Sequence, residues 1–357
     1  MTNEAHKPPG FSARGKRTVL LGAACFFLLL FLLTAAWVHH ALQPVNKKGE
    51  NQNFVVEEGA TLKQVAVDLE NADIIRNSTL FRLAGRLMGH DHHIKTGEYR
   101  LNGATPALEI LETLKEGRII THPITIPEGF SLDQIAQLLE QKGFSDKASF
   151  LEQARDRSLV TRLGLSGDTL EGYLYPDTYR FRQKEKVSRI ITVMVKRFRD
   201  IVTPLEAQIK DSGMTLTQVI TLASIVEKET GCPEERPMIA RVFLNRLKKN
   251  MRLESDPTVI YGISHFNGNL TKKDLRTQTA YNTYMIRGLP PAPIANPGLA
   301  AISAVLNPAE GNDYYFVSKN NGTHYFSGTL KEHNRAVRQF QKNRSKRTRV
   351  KSLDIAQ

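Results

Sequence analysis

The segment "LASIVEKETG", residues 222–231, ends an apolar stretch with two carboxylates, Glu227 and Glu229, and then a glycine. A carboxyl group can act as a general acid when its surroundings raise its pKa toward neutrality, as apolar neighbours do. On a helix, Glu229 follows Val226 by three residues and Ile225 by four, which places it on an apolar flank. The carboxyl end of a helix also disfavours the carboxylate form. The pattern favours Glu229 as the acid and keeps Glu227 as the alternative.

A carboxyl group with a raised pKa is typical of the acid that protonates a glycosidic oxygen. Hydrolytic glycosidases also need a second carboxylate, as base or nucleophile. Asp256 in "ESDPT" is the candidate, with Glu254 beside it. If neither carboxylate acts, the nucleophile must belong to the substrate. The residues alone leave both reactions open.

Glu227 and Glu229 end a predicted helix over 216–229, and a second amphipathic helix is predicted over 234–250. Two polar, loop-rich stretches follow, 251–262 and 279–298, and long structured loops in compact domains are more often functional than decorative. The chain is then predicted to finish with a helix near 298–306, strands at "DYYFVS" and "THYFSG", and a helix from about residue 330.

An internal repeat precedes these helices. "EGATLKQVAVDLE", residues 58–70, matches "EGFSLDQIAQLLE", residues 128–140. In each copy a β-rich run leads into a Glu-Gly turn, and then Thr61 or Ser131 is followed three residues later by glutamine. This spacing is a capping-box signature that opens an amphipathic helix. The repeat predicts two small α/β modules, for binding or for spacing alone.

"LEGYLYPDTYRF", residues 170–181, interrupts the helical patterns that follow the second copy. It predicts an ordered loop or a short strand. Aromatic and carboxylate side chains together suit a sugar, which offers a C–H face for stacking and hydroxyls for hydrogen bonds. A folded corner with its tyrosines in the core explains the same residues.

The apolar run "VLLGAACFFLLLFLLTAAWV", residues 19–38, has no charge over twenty positions, and about 20 residues span a bilayer as a helix. Lysine and arginine dominate the residues before it, which places the N-terminus in the cytoplasm and residues 40–357 outside. A cleaved signal peptide is the alternative, since "TAA" resembles a cleavage site. The run is longer than a signal core of roughly 7–15 residues, which favours an uncleaved anchor.

The net charge of +13 would suggest a nucleic-acid partner in a cytosolic protein, but a chain outside the membrane does not meet one. Part of the excess lies in the tail "QKNRSKRTRVK", residues 341–351, which is either simply solvated or adheres to an anionic surface. The sequence has two cysteines, and Cys25 lies in the apolar run. Cys232 is the only cysteine outside that run, so neither an internal disulfide nor a cysteine-based metal site is expected.

Several long motifs resemble those of the YceG-like family, the MltG-type endolytic murein transglycosylases. They are "LASIVEKET", "VFLNRLKKNMRLESDPTVIYG", "AYNTYMIRGLPPAPIANPG" and the closing "YFVS" with "GTHYFSGTLKEHNRAV". The family often reads "LQTDPT" where this chain has Glu254 and Ser255, while Asp256, Pro257 and Thr258 follow its pattern. The resemblance extends over nearly everything after the apolar run.

The resemblance implies a membrane-anchored enzyme that cleaves glycan strands internally, between N-acetylmuramic acid and N-acetylglucosamine, and leaves a 1,6-anhydromuramyl end. By motif position Glu229 is the catalytic residue, acting first as acid and then as base, and neither a metal nor another cofactor is required. The expected substrate-binding residues are Asp256, Tyr281, Asn282, Thr258, Glu227 and Asn245. Peptidoglycan is the implied partner, and the family's link to cell-wall synthesis implies a penicillin-binding protein synthase as a second one.

The expected fold class is α+β, with a single transmembrane helix, LysM-like modules and a mixed α/β catalytic domain. The expected segments are a cytoplasmic N-terminus (1–18), an anchor (19–38), a linker (39–52), a first LysM-like module (53–118), a second module with its connecting region (119–212), a catalytic domain (213–340) and a basic tail (341–357).

Overall fold

The computed structural model describes residues 13–46, 48–90 and 94–342. Its strands form three separate antiparallel pairs among helices, so the described chain is a mixed α/β protein, as predicted. The chain divides into two compact units between Thr121 and His122. Most of the predicted cytoplasmic N-terminus and nearly all of the basic tail lie outside the described residues.

The first helix, α1 (Ala13–Leu42), contains a stretch that is long and apolar enough to cross a membrane, Leu21–Leu42. The predicted anchor lies inside α1, and the helix continues past it to residue 42. There the side chain of Leu42 packs against the core of the first module. The apolar helix therefore ends on folded protein.

The first module has the predicted order of strand, turn and helix. Thr61 and Gln64 form the expected capping box at the start of its first helix. The predicted linker is held on this module, because the Arg76 guanidinium donates hydrogen bonds to the carbonyl oxygens of Pro44, at 2.7 and 3.0 Å, and Val45. The elements are β1 (Gln52–Val56), α2 (Leu62–Asn71), α3 (Ser78–Leu87), β2 (Gly97–Leu101), which pairs with β1, and α4 (Ala107–Glu116).

The second module repeats this plan around a core of its own. Ser131 and Gln134 form its capping box, so the internal repeat in the sequence corresponds to a repeated structural unit. The elements are β3 (His122–Thr125), α5 (Leu132–Gln141), α6 (Lys147–Ala154), α7 (Arg157–Arg162), β4 (Thr178–Phe181), which pairs with β3, α8 (Val187–Val202) and α9 (Glu206–Asp211).

The remaining elements surround one central helix, α10, which packs against α11, α12 and α13. A short 3-10 turn, Pro233–Glu235, leads into α11. The elements are α10 (Leu216–Glu229), α11 (Arg236–Lys248), α12 (Asp256–Tyr261), α13 (Leu299–Leu306), β5 (Tyr315–Ser318), β6 (His324–Ser327), which pairs with β5, and α14 (Leu330–Val337).

The second module and these later elements belong to one compact unit. Glu171 joins them: its buried carboxylate accepts hydrogen bonds from the Leu132 amide at 3.1 Å, the Asn296 side chain at 3.1 Å and the Tyr261 hydroxyl at 3.0 Å. Burial raises the pKa of Glu171 to about 8. This carboxyl group therefore acts as a structural junction.

The three tyrosines of residues 170–181 are buried. The Tyr173 ring packs edge-on against Phe198 at 5.3 Å, and Tyr179 stacks on Phe181 at 5.7 Å. The segment ends in β4, so the expectation of a short strand is confirmed. These contacts favour the folded corner over direct stacking on a sugar.

Candidate active site

Helix α10 places Glu229 at the edge of a cavity. The helix opens with a capping box between Thr215 and Gln218, and residues 219–226 are all buried, as expected of a helix that is enclosed on every side. The helix ends at Glu229, and the residue after it, Thr230, already has an extended backbone. The last side chain of the helix, Glu229, therefore lies where the enclosed run ends, and it lines the cavity.

Burial raises the pKa of the Glu229 carboxyl to about 7. The Ser255 hydroxyl donates a short hydrogen bond to its Oε1, which opposes this rise. The negative charge of Asp256 adds to the rise, and the positive charge of Arg246 opposes it. A carboxyl group in this range is present in both protonation states near pH 7 and can give or take a proton. The sequence-based choice of Glu229 thus coincides with a side chain suited to acid catalysis.

A turn with unusual backbone geometry brings the "ESDPT" segment to Glu229. Glu254 has a φ of 53°, in the left-handed region that non-glycine residues rarely adopt. The Thr283 hydroxyl accepts from the Ser255 amide at 3.0 Å and lies 2.8 Å from the Thr258 hydroxyl. These bonds fix the path along which Ser255 reaches Glu229 and α12 begins at Asp256.

Asp256 lines the same cavity as Glu229, and its Oδ1 accepts a hydrogen bond from the Tyr284 hydroxyl at 2.7 Å. Substrate contact by Asp256 stays a prediction. Burial raises the pKa of Tyr284 above its ordinary value. Tyr284 lies in the same "AYNTY" motif as Tyr281 but was not selected from the sequence. The Tyr281 ring instead packs against Tyr261 at 4.9 Å and is half-buried.

Three other predicted substrate-binding residues make internal hydrogen bonds. Thr258 and Asn282 are fully buried, and the Asn282 amide donates to the carbonyl oxygens of Asp274, Leu275 and Thr277. The Asn245 amide donates at 3.1 Å to the carbonyl oxygens of Gly311 and Asp313. These bonds shape the loops that form the cavity, and substrate contact by these residues stays a prediction.

Glu227 faces away from Glu229 and into a buried ion pair. The Arg236 guanidinium donates to Glu227 Oε1 at 2.6 Å, and the Gly298 amide donates to Oε2 at 3.1 Å. Arg236 also reaches Glu128 of the second module at 3.4 Å. Both oxygens of Glu227 are occupied by protein, so it is a structural residue in this arrangement and a poor candidate for the acid.

The cavity has a volume of about 470 Å³. Glu229, Glu254 and Asp256 line it together with residues of the β5–β6 hairpin and α14, which sequence reasoning did not connect with the site. Two of these lining residues are histidines, His324 and His333, and no sequence motif connected them with the candidate acids. The lining residues are Glu229, Arg246, Leu253, Glu254, Asp256, Tyr284, Phe316, Val317, Ser318, His324, His333, Val337 and Gln341.

Arg246 lines the cavity and forms hydrogen bonds with other residues that line it. Its guanidinium donates to the carbonyl oxygens of Tyr314 at 2.6 Å and Leu253 at 2.8 Å, and to Glu254 Oε2 at 3.1 Å. It lies over the Tyr315 ring, against which His333 also stacks. Within the described residues, no three His, Cys, Asp or Glu side chains are grouped to hold a metal ion.

Comparison with known proteins gives consistent results. The profile of the YceG-like family matches residues 54–339. The chain is 31% identical over 316 residues to an endolytic murein transglycosylase of Bacillus subtilis, across 84% of this chain and 88% of that protein. A Streptococcus pneumoniae endolytic murein transglycosylase is 27% identical, with 87% of this chain matching 64% of its length.

A solved structure is also similar. The crystal structure of a yceG-like protein from Listeria monocytogenes superposes with a TM-score of 0.56 and is 32% identical, covering 81% of this chain and 100% of that one. The family profile, over residues 54–339, covers both modules and nearly all the residues that line the cavity.

Proposed function

Because this chain belongs to the YceG-like family, we propose that it is an endolytic murein transglycosylase that cuts peptidoglycan strands and leaves 1,6-anhydromuramyl ends. The observation that supports this most directly is Glu229, whose pKa is raised to about 7 at the edge of a polar cavity. The substrate is the glycan of the cell wall, and the reaction is that of a lyase.

The minimal mechanism uses one carboxyl group. Glu229 donates its proton to the glycosidic oxygen that leaves C1 of N-acetylmuramic acid, and the 6-hydroxyl oxygen of the same sugar bonds to C1. The resulting carboxylate can then accept the hydroxyl proton. Since the nucleophile belongs to the substrate, no bound water has to be positioned.

Ser255 and Asp256 tune this acid. The Ser255 hydroxyl occupies Glu229 Oε1 and leaves the other carboxyl oxygen to carry the proton. Asp256, held by Tyr284, keeps a negative charge near Glu229 and favours its protonated form. We assign both as positioning residues.

The rate of strand cleavage should fall as the pH rises through about 7, because the pKa of Glu229 is raised to about 7 and only its protonated form can act as the acid. Asp256→Asn should move the midpoint of this fall to lower pH, since it removes a negative charge that raises the pKa of Glu229. Initial rates of anhydromuropeptide release across pH 5–9 measure both midpoints.

The matched control is Asp211→Asn, at an exposed position in α9, which should keep the wild-type midpoint. A midpoint that Asp256→Asn leaves in place, or moves upward, contradicts the assigned role. A muramidase that uses both carboxylates would instead lose as much activity in Asp256→Asn as in Glu229→Gln.

The position in the cell follows from α1. We propose that Leu21–Leu42 anchors the protein once in the cytoplasmic membrane, with its N-terminus in the cytoplasm and its cavity outside. The two repeated modules are proposed as LysM-like elements that hold or space the glycan, and a penicillin-binding protein synthase is the proposed protein partner.

The anchored protein should stay in the membrane fraction after a high-salt wash and leave it only in detergent, because salt weakens surface charge pairs but not burial of an apolar helix. Immunoblots of washed membranes provide the measurement. Release by salt would indicate cleavage after the apolar run and peripheral attachment through basic residues.

A further inference from the structure

The cavity that Glu229 lines also contains an imidazole that the minimal mechanism does not use. His324 begins β6, and its side chain is 14% exposed. It lines the same cavity as Glu229 and Asp256. A titratable ring that shares a cavity with the acid is a candidate for proton transfer.

The Glu235 carboxylate fixes the orientation of this imidazole. Its Oε2 lies 2.6 Å from His324 Nδ1, and its Oε1 accepts the His324 backbone amide at 2.7 Å. Glu235 is only 5% exposed, so both oxygens of a buried carboxylate are directed at a single residue. The ring also packs edge-on against Phe316 at 5.5 Å. The orientation of His324 is therefore set on two sides.

This arrangement determines which nitrogen can accept a proton. A carboxylate oxygen only accepts hydrogen bonds, so Nδ1 carries the hydrogen that faces Glu235. In the neutral ring the lone pair then lies on Nε2. A carboxylate that orients a histidine in this way is the arrangement that prepares an imidazole as a general base.

Glu229 and His333 are less suited to this second role. Oε1 of Glu229 is already held by Ser255, and the carboxyl group can act as a base only after it has given its own proton to the leaving oxygen. His333 also lines the cavity, but its buried Nδ1 has no hydrogen-bond partner within the described part of the chain. Of the cavity's two histidines, His324 is the one with an orienting carboxylate.

We propose that His324, oriented by Glu235, is the base that removes the proton from the substrate hydroxyl that attacks C1. This inference rests on the proposed function. In the step, the bond from C1 to the leaving oxygen breaks as the bond from C1 to the 6-oxygen forms. The Glu229 proton goes to the leaving oxygen and the hydroxyl proton goes to His324 Nε2. The imidazolium and the Glu229 carboxylate then regain their starting states by proton exchange through solvent.

His324→Asn is the most informative variant. The asparagine amide can still donate to Glu235 from nearly the position of Nδ1, but it offers nothing in place of the Nε2 lone pair. We expect turnover of purified glycan strands by the full-length protein to fall about 10²-fold while its melting temperature stays near that of the wild type. Release of 1,6-anhydro products, measured by mass spectrometry, gives the rate.

Two further variants separate catalysis from packing. In His324→Ala, added imidazole should raise turnover several-fold, because a free base can enter the vacated space. Glu235→Gln should lower turnover to a similar extent as His324→Asn, because the amide can donate to Nδ1 and place the hydrogen on Nε2, and imidazole should not restore it. The exposed His265 provides the matched control, since His265→Ala should keep wild-type turnover with or without imidazole.

Each result supports or contradicts the assignment of His324 as the base. If His324→Asn keeps turnover within about threefold of the wild type, Glu229 performs both proton transfers and the proposal is wrong. Loss of activity in His324→Ala that parallels its unfolding, without rescue by imidazole, assigns His324 to structure and also overturns it. Reducing ends from the wild-type protein would refute the proposed function separately, because that result concerns the product and not the variants.

Discussion

Replacing Glu229 with glutamine should abolish the release of 1,6-anhydromuramyl products, with a loss of about 10²- to 10⁴-fold or more. Glutamine matches the size of glutamate and can still accept the Ser255 hydrogen bond, but it has no proton to give to the glycosidic oxygen. The loss should appear in kcat, because the missing interaction belongs to the transition state. Mass spectrometry of digested peptidoglycan provides the measurement.

The control for this variant is Glu206→Gln, which makes the same chemical change at an exposed site in α9 and should leave the rate as it is. If Glu229→Gln retained more than about a tenth of the wild-type rate, Glu229 would not be the acid. If Glu229→Gln binds glycan and releases products just as the wild type does, the result favours a wall-binding scaffold without catalysis.

Breaking the Glu227–Arg236 ion pair should have the largest effect on stability. Each side chain is at least 90% buried, with exposures of 5% and 10%, and their closest nitrogen and oxygen atoms are 2.6 Å apart. Arg236→Ala leaves the buried Glu227 without its ionic partner, which typically costs about 3–5 kcal/mol. Glu227→Ala should cost less, because Arg236 still has Glu128 at 3.4 Å. The urea midpoint of the full-length protein in detergent should fall for either variant.

The double variant Glu227→Met/Arg236→Met is the matched control, since it removes both charges and keeps apolar volume. It should lose less than the sum of the two single variants, which is the signature of a direct pair. Activity lost in Glu227→Gln should follow the fraction unfolded. Loss of turnover in fully folded Glu227→Gln protein would restore Glu227 as the candidate acid.

Local patterns in the sequence predicted the elements well because they record interactions within a few residues. The helix predicted over 216–229 is α10 with the same bounds. Both capping boxes form, because at a helix start the N-cap side chain lies within hydrogen-bond reach of the amide three residues later. The closing hairpin and helix also lie where alternation and turn residues indicated.

The site was predicted only in part, because local patterns record interactions within a few residues and most contacts of the site join distant ones. Helical phase favoured Glu229 over Glu227, but the two groups that occupy the Glu227 oxygens are the Arg236 guanidinium and the amide of Gly298, which is 71 positions away. Tyr281 was chosen where Tyr284 makes the contact with Asp256, because loop residues have no period that indicates which ring faces the cavity. His324 and Glu235 are 89 positions apart, and no spacing rule connects them.

By itself, then, the sequence determined the apolar helix, the duplicated modules, the α10 helix and the rank of Glu229, all of which depend on period, length and neighbouring side chains. The tertiary structure decided that Ser255 holds Glu229, that Asp256 stands beside Tyr284, and that His324 faces the cavity with Glu235 behind it. These contacts join residues that only the packing of α10, α11 and the β5–β6 hairpin brings together. Such packing is the sum of many weak long-range interactions, which no short stretch of sequence records.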